Sequence, residues 1–456
     1  MSESTNPAGE FGLPRRAAVE GPWPAPVATE PVHATISVPG SKSETNRALV
    51  LAALSDIPSQ ITGALESRDS ELMRDGLRTL GVQIDDRTDT WLVTPPKQFT
   101  PGGTIDCGLA GTVMRFLPAI AALAPGDTHF VGDAEAGERP MGPLLDALYD
   151  MGAGVTAGTN TLPFTITGRP DLPGGPIRVD SSTSSQFISA LLLVGARTTR
   201  GLTVHHHGAT LPSRPHIDMT AHMLSEHGVQ IETPDEQTWQ VQPGTLTALD
   251  RRIEPDLTNA AVFLAAAVMT VGTVTVPGWP HWTHQPGDRI REILTEIGAT
   301  VEHDDDGLHV TGTMHPAGID VDLTSASELT PVVAAIAAIA HQPTRIRGVG
   351  HIRGHETDRL AALEAELTNL GSATRQTEDG LIIEPRMLHG GTWRTYADHR
   401  MAHAGALLGL IVDDVTLDDV TCTAKTMPNF PSMWRLMLEE SALWSERGTQ
   451  PGSGTA

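Results

Sequence analysis

Apolar and polar positions along this chain return in one recurring phrase. A short apolar strand is followed by a glycine, a polar turn, an amphipathic helical stretch, and a second glycine that opens the next strand. The copies run from Ile61-Thr62-Gly63 to Leu80-Gly81, from Phe130-Val131-Gly132 to Met151-Gly152, and from Val204 and Gly208 to His227-Gly228. Two more run from Val276-Pro277-Gly278 to Ile297-Gly298 and from Ile346-Arg347-Gly348 to Leu370-Gly371, and a sixth, Val415 through Met437, lacks the closing glycine. Ile290, Ile293, Leu294 and Ile297 fall on one face at a period near 3.6, as do Leu360, Leu363, Leu367 and Leu370. The closing glycines fit left-handed C-caps, where a residue without Cβ adopts positive φ at no steric cost.

Between the copies, Ser189 to Ala196, Ala260 to Met269 and Pro331 to Ala340 are rich in alanine and leucine on every side, which predicts helices buried all round. The copies differ in length, so a solenoid is disfavoured. Two compact groups of three are expected instead: an α/β (α+β) fold of two similar domains with an active-site cleft between them. The chain is expected to cross between the groups near Gly40 and again near Pro255. That assigns 41–255 to one domain and 23–40 plus 256–444 to the other. Residues 1–22, rich in Pro, Gly and Ala and without an apolar signal core, read as a disordered extension, and 445–456 as a disordered tail.

Composition narrows the partners. With 456 residues and a net charge of -24, the chain has room for two or three domains but no basic field for a nucleic acid. An anionic substrate would need a local cationic pocket. Cys107 and Cys422 are far apart in sequence and support neither a disulfide framework nor a cysteine zinc cluster. The longest apolar runs, such as Val332 to Ala340, fall well short of the roughly 18 residues of a membrane span. The expectation is a cytoplasmic monomer that handles small molecules, with no membrane partner and no metal.

The densest chemistry lies in Val38-Pro39-Gly40-Ser41-Lys42-Ser43-Glu44-Thr45-Asn46-Arg47, which leads into an apolar helical run. Ala34 to Val38 reads as a short strand, Pro39-Gly40 breaks it, and Ser43 or Thr45 is placed to cap the helix that follows. Helix-start amides, two serine hydroxyls, Lys42 and Arg47 would converge on one anion. A plain helix cap is the competing reading of this turn alone. The glycine spacing of a nucleotide-triphosphate loop is missing, which disfavours a nucleotide triphosphatase.

Further basic and hydroxyl-rich turns recur: Gly137-Glu138-Arg139-Pro140, Ser184-Ser185-Gln186, Ser213-Arg214, His355-Glu356-Thr357-Asp358-Arg359, Asp398-His399-Arg400-Met401 and Thr423-Ala424-Lys425-Thr426. With Pro39 to Arg47 and Ala110-Gly111-Thr112-Val113-Met114-Arg115, they resemble the enolpyruvyl transferase family from about Ala34 to about Leu438. Within it, the match is closest to the branch that acts on shikimate 3-phosphate. The resemblance implies two domains, each of three βαβαββ units, whose helices aim their N-termini at the cleft. It also implies transfer of the enolpyruvyl group of phosphoenolpyruvate to the 5-hydroxyl of shikimate 3-phosphate, with release of phosphate. Carboxylates and a lysine can do this chemistry without metal or organic cofactor.

Carried over by position, the resemblance makes Ser43, Arg47, Ser184, Ser185, Gln186, Ser213 and His355 contacts of shikimate 3-phosphate. It has Lys42 touching both substrates. Arg139, Arg359, Arg400 and Lys425 would hold the phosphate and carboxylate of phosphoenolpyruvate, with Gln186, Gly111 and Thr112 lining that pocket. Glu328 stands where the family has an acidic base beside the 5-hydroxyl. Glu356 is the candidate for proton exchange at the methylene carbon, and Lys42 or His399 would assist the leaving phosphate.

The chain departs from the family pattern at several positions. Leu109 replaces a frequent asparagine, Phe116 a frequent proline, and His351, His355 and His216 stand where Asn, Lys and Tyr are common. His205-His206-His207 read as alternating across a strand, and Arg68, Asp69, Asp288 and Arg289 as helix caps or solvated pairs. Two other functions stay open. The sister transferase acting on UDP-N-acetylglucosamine typically has a cysteine where this chain has Ala134, and lacks the Ser-Ser-Gln site. A non-catalytic anion-binding relative, or the related RNA 3'-phosphate cyclase architecture, is disfavoured by Lys42, Glu328, Glu356 and Lys425 and by the acidic charge.

Overall fold

The recurring phrase folds as strand, helix, strand, helix, strand, strand. In the first copy, helix α1 (Lys42–Leu54) leads to strand Ser59–Thr62, helix α2 (Arg68–Thr79) and strands Gln83–Asp85 and Thr90–Thr94. The second runs through strand Thr104–Asp106, α3 (Gly111–Ala121), strand Gly126–Val131, α4 (Gly142–Asp150) and strands Gly154–Ala157 and Phe164–Gly168. The third has strand Gly175–Val179, α5 (Gln186–Gly195), strand Leu202–His206, α6 (Arg214–Glu226) and strands Ile231–Asp235 and Thr238–Val241. The fourth continues with α7 (Leu257–Thr270), strand Thr273–Val276, α8 (Ile290–Ile297) and strands Thr300–Asp304 and Gly307–Thr311. The fifth comprises strand Asp320–Asp322, α9 (Thr330–Ala337), strand Thr344–Arg347, α10 (Arg359–Asn369) and strands Ala373–Gln376 and Leu381–Glu384. The sixth has strand Gly391–Trp393, α11 (His399–Gly409), strand Val415–Leu417 and α12 (Phe430–Gly448).

These assignments come from a computed structural model that describes residues 21–448. The expected disorder of 1–22 and 445–456 therefore falls mostly outside the described residues. Residues 445–448 are a correction to it, because they continue α12.

In each full sheet, the first two strands pair in parallel across a helix, and the last strand inserts antiparallel between the second and third. Two sheets take their first strand from elsewhere in the chain. Arg251–Arg252 pairs in parallel with Ser59–Thr62 in the first sheet, and His33–Thr35 with Thr273–Val276 in the fourth. Trp23–Pro24 completes the sixth by pairing antiparallel with Val415–Leu417. The strand expected over 34–38 is thus shorter and earlier. The Ile36 amide still reaches the Thr275 carbonyl at 2.8 Å before the chain turns away toward Pro39.

Two hydrophobic cores result. One gathers buried residues between Ala48 and Ile253, the other Trp23 to Ile36 together with Leu257 to Met437. Helices α1, α3 and α5 pack on one another inside the first, and α7, α9 and α11 inside the second. Every residue from Leu257 to Met269 is buried, as all-round apolarity requires, whereas α8 buries only Ile290, Ile293, Leu294 and Ile297. The closing glycines Gly81, Gly152, Gly228, Gly298 and Gly371 all have positive φ, between 77° and 104°.

The two segments that join the cores lie side by side. Gly40 and Pro255 form an antiparallel bridge, the Ser41 amide donates to the Glu254 carbonyl at 2.8 Å, and the Asp256 amide to the Pro39 carbonyl at 2.9 Å. Glycine is needed at position 40, because a Cβ there would lie 2.1 Å from the backbone oxygen of Gly63.

Candidate active site

Between the cores lies a cavity of about 350 Å³ lined from both sides. Helices α1 to α11 each bring to it the N-terminal turn or the residues just before it. Lys42 and Ser43 come from α1, Asp69 from α2, Gly111 and Thr112 from α3, and Arg139 from the turn before α4. Ser184, Ser185 and Gln186 open α5, and Ser213 and His216 open α6. From the other side come Asp256, Gln285, Glu328, His355 and Glu356, and His399 and Arg400, at the starts of α7 to α11. The positive ends of the helix dipoles therefore point inward, which makes the cavity attractive to anions in an acidic protein.

Lys42 sits at the seam. Its Nζ lies 3.5 Å from Oδ2 of the buried Asp69, and its amide donates to Asp256 Oδ2 at 3.2 Å. Asp256 Oδ1 in turn accepts the Asn259 amide at 2.9 Å, so one carboxylate caps the first turns of helices from both cores. The residue capping α1 is Ser41, whose Oγ accepts the Glu44 amide, not Ser43 or Thr45. Both alternatives lie inside the helix, and Thr45 Oγ1 accepts from the Leu65 amide instead.

Arg139 and Arg115 stand together on the first-core wall. Arg139 NH1 donates to the Leu109 carbonyl at 3.1 Å, and Arg115 NH2 to the Pro140 carbonyl at 3.3 Å, and among the described residues neither guanidinium has a carboxylate partner. Burial, and then the neighbouring Arg139 charge, push the Arg115 guanidinium well below its ordinary value. Among the described residues, both Nε atoms and Gln186 Oε1 lack a hydrogen-bond partner. A Cβ on Gly111 would lie 3.2 Å from Arg139 NH2 and 3.1 Å from Gln186 Oε1, so the bare backbone lets these groups converge. Thr112 Oγ1 accepts from Asn46 Nδ2 at 2.6 Å.

On the opposite wall, Arg359 is fully buried and bound to three carboxylates. Its Nε donates to Asp398 Oδ2 at 2.7 Å, NH1 to Glu328 Oε2 at 2.8 Å and NH2 to Glu356 Oε2 at 2.9 Å. Lys425 Nζ donates to Glu356 Oε1 and, across the cleft, to the Leu109 carbonyl at 3.4 Å. Arg400 Nε lies 3.3 Å from Glu328 Oε2. Burial would raise the Glu356 carboxyl, but Lys425, Arg359 and Arg139 outweigh it and hold the group well below the usual carboxylate range. Glu328 is likewise pushed up by burial and held well down by Arg359, His355 and Arg400. Burial, then the charges of Arg400 and Lys42, keep His399 well below the ordinary imidazole value, so it is neutral.

Histidines line the remaining wall. His216 Nε2 is 3.5 Å from Ser43 Oγ, His351 Nε2 is 2.9 Å from Ser327 Oγ, and His355 Nδ1 is 3.3 Å from Glu328 Oε1. Burial and then Arg47 lower His216 to about 3, while burial and then His355 lower His351 to about 4. Both rings stay neutral in the folded chain at pH values where the unfolded chain protonates them. Their contribution to stability is therefore complete above the unfolded value near 6.5 and shrinks as pH falls toward 4 and then 3. His216→Gln is expected to flatten the acid limb of a urea-stability profile between pH 6.5 and 4, by at most about 1.4 kcal/mol per pH unit. An unchanged slope would contradict the assignment.

Most of the residues singled out in the sequence meet in this one cavity, with three differences of placement. Arg47 lines it, but its guanidinium already donates to Thr220 Oγ1, the Ser43 and His216 carbonyls and Ser189 Oγ, which leaves one N–H of five for a ligand. Arg359 and Lys425 lie just behind the lining, against Glu356. Asp69, read as a helix cap or solvated charge, is buried beside Lys42. Arg115, quoted only as part of a motif, and Asp256 complete the lining. The proximity of Asp69 to Lys42 has no local sequence signal, because it depends on how α2 packs on α1. Among the described residues, no group of three or more His, Cys, Asp or Glu is placed to hold a metal ion, and no helix is long and apolar enough to cross a membrane.

Comparison with known proteins shows which family the chain resembles. A family model described as EPSP synthase (3-phosphoshikimate 1-carboxyvinyltransferase) matches residues 27–434. The chain is similar to a 3-phosphoshikimate 1-carboxyvinyltransferase of Mycobacterium ulcerans (strain Agy99), 51% identical over 427 residues, covering 92% of this chain and 99% of that relative. Among solved structures it resembles an EPSP synthase from Acinetobacter baumannii, with a TM-score of 0.77 and 25% identity over 91% of this chain and 97% of that one. A second Acinetobacter baumannii EPSP synthase structure, 24% identical, matches in fold with a TM-score of 0.76 over 91% and 98%.

Proposed function

We infer the roles of the cleft residues from one premise: this chain belongs to the EPSP synthase family, and it transfers the enolpyruvyl group of phosphoenolpyruvate to the 5-hydroxyl of shikimate 3-phosphate, releasing phosphate. The observation that carries the assignment is the Glu356 carboxylate held between Arg359 and Lys425 and facing the Arg115–Arg139 pair across one cavity. This arrangement supports reading Glu356 as the proton-exchanging acid, because the cations around it suit a phosphorylated carboxylic acid.

In this reading, Arg139, Arg400 and Lys425, backed by Arg359, hold the donor over Gly111, Thr112 and Gln186. Ser184, Ser185, Gln186, Ser213, Ser43 and the free N–H of Arg47 hold the acceptor, with His355 beside its hydroxyls. Residues 41–255 form the acceptor-binding half, and 23–40 with 256–444 the half that completes the donor site. Lys42 spans both substrates.

Chemistry begins when Glu356 delivers a proton to the donor methylene carbon, leaving positive charge on the adjacent carbon. The acceptor 5-hydroxyl attacks that carbon and gives its proton to Glu328. The carbon–oxygen bond to phosphate then breaks, with Lys42 and neutral His399 donating hydrogen bonds to the departing oxygen, and Glu356 removes a proton from the new methyl group. Donor binding prepares the first step, because the anionic donor neutralises the same cations that hold Glu356 ionised, and so raises its proton affinity.

Arg115 acts with Arg139 on the donor. Arg115→Met is expected to raise the donor KM about tenfold to a hundredfold, the worth of one charge-assisted hydrogen bond. Thermal stability should hold or improve, since the variant removes a buried cation that has no carboxylate partner among the described residues. An unchanged donor KM would remove Arg115 from the site. The whole reading is tested by phosphate release from phosphoenolpyruvate with either shikimate 3-phosphate or UDP-N-acetylglucosamine as acceptor. Release with only the second would overturn it. A cytoplasmic monomer belongs to the same reading, and light scattering on the purified chain checks its mass.

A further inference from the structure

Immediately before α11 the backbone makes a turn that its own residues disfavour. The Asp398 amide donates to the Thr395 carbonyl at 2.9 Å, and the two residues between them, Tyr396 and Ala397, have φ of +55° and +53°. Two successive left-handed residues give the sense of a type I′ turn, which draws on Gly, Asn and Asp because Cβ is crowded there. Neither a tyrosine nor an alanine relieves that crowding, so the conformation persists only if its surroundings impose it.

The surroundings do so from three directions. Asp418 Oδ1 accepts both the amide and the hydroxyl of Thr395, at 2.8 and 2.9 Å. Glu366, buried on α10, accepts the Tyr396 hydroxyl on Oε1 at 2.7 Å and the Arg394 amide on Oε2 at 3.1 Å. Asp398 is bound by Arg359 Nε and NH2, and its Oδ1 caps α11 through the Arg400 amide at 2.8 Å. Helix α10 thus carries Arg359 at its start and Glu366 two turns on, and grips the turn at both points. Burial and the Glu366 contact raise the Tyr396 phenol to about 12, so it remains a donor at working pH.

We propose that the Thr395–Asp398 turn is a tensioned mount for Arg359 and Arg400, and that Tyr396, which lies outside the cavity lining, is a positioning residue for the donor site. This rests on the reading that those two arginines serve phosphoenolpyruvate. When the Tyr396 tie is cut, the turn relaxes toward negative φ, Asp398 rotates with it, and the arginine pair loses its aim. The serines and Arg47 that hold the acceptor's phosphate, on α1, α5 and α6, make no contact with the turn and are left as they were.

Steady-state kinetics of the full chain test this, with each substrate varied in turn. Tyr396→Phe is expected to raise the KM for phosphoenolpyruvate about tenfold while the KM for shikimate 3-phosphate stays within about twofold. Ala397→Gly alone should leave both near wild type, because glycine takes the left-handed conformation freely. Added to Tyr396→Phe, it should recover most of the lost donor affinity. A Tyr396→Phe enzyme with unchanged donor KM, one in which both KM values rise together, or a double variant without recovery would each overturn the proposal. Failure of the functional reading itself shows differently, as a wild-type chain that does not turn over the two substrates.

Discussion

Arg359→Met is expected to abolish measurable turnover and to lower folding stability by about 3–5 kcal/mol, the usual cost of removing one partner from a buried ionic cluster. Arg359 ties the second-core wall together because a single guanidinium fork satisfies Asp398, Glu328 and Glu356 at once. Without it, Asp398 is left buried with no cationic partner of comparable geometry, and Glu328 keeps only Arg400 and His355. Arg359→Lys should rescue little of either effect, since an ammonium cannot serve three carboxylates in one plane. Urea unfolding followed by circular dichroism gives the stability, and phosphate release gives the activity. A variant within about 1 kcal/mol of wild type would mean that the cluster does not hold the wall together.

Glu356→Gln should lower kcat by about a hundred- to ten-thousandfold with the fold intact, the span expected for loss of a proton-transferring group. Glutamine keeps the shape that fits between Arg359 and Lys425 but cannot carry a proton to carbon. It also removes a negative charge from beside the bound donor, so the affinity for phosphoenolpyruvate should hold or tighten while turnover collapses. In deuterated water the wild-type enzyme is expected to place deuterium on the methylene carbon, and the variant is not. A variant that turns over within tenfold of wild type would assign the proton to Lys42 or His399 instead.

What could be read from the sequence divides along physical lines. Strand-and-helix copies are legible because burial imposes period 2 on one and 3.6 on the other, and because a left-handed C-cap selects glycine at Gly81, Gly152, Gly228, Gly298 and Gly371. Helix α7 is legible for the opposite reason, an apolar surface on all sides. The cap of α1 is less so, since Ser41, Ser43 and Thr45 carry equivalent hydroxyls and only the crossing backbone at Glu254 decides which stands outside the helix. Strands of two or three residues, such as Arg251–Arg252 and His33–Thr35, are too short to show alternation and owe their existence to partners more than two hundred residues or nearly so away.

The site follows the same division. Lys42, Arg139, Arg400 and Glu356 lie in compact motifs whose residue types speak for anion binding and proton exchange. Asp69 and Asp256 do not, because a lone aspartate at a helix start reads equally well as a cap. Asp256 is in fact a cap as well as a cavity residue, which no local pattern separates. Arg359 shows the reverse case. Its motif was plain, but its burial behind Glu328 and Glu356 follows from three chain segments meeting, and only the fold shows it.

The borrowed strands also set an order of events during synthesis. Trp23–Pro24 and His33–Thr35 are made before the other strands, and their partners Val415–Leu417 and Thr273–Val276 are made far later. By contrast, the first core is closed by its own last strand, Arg251–Arg252, and has all its parts before the bulk of the second, from Leu257 on, is made. The emerging chain therefore completes its middle while its leading end waits, unpaired and apolar, for a sheet that does not yet exist.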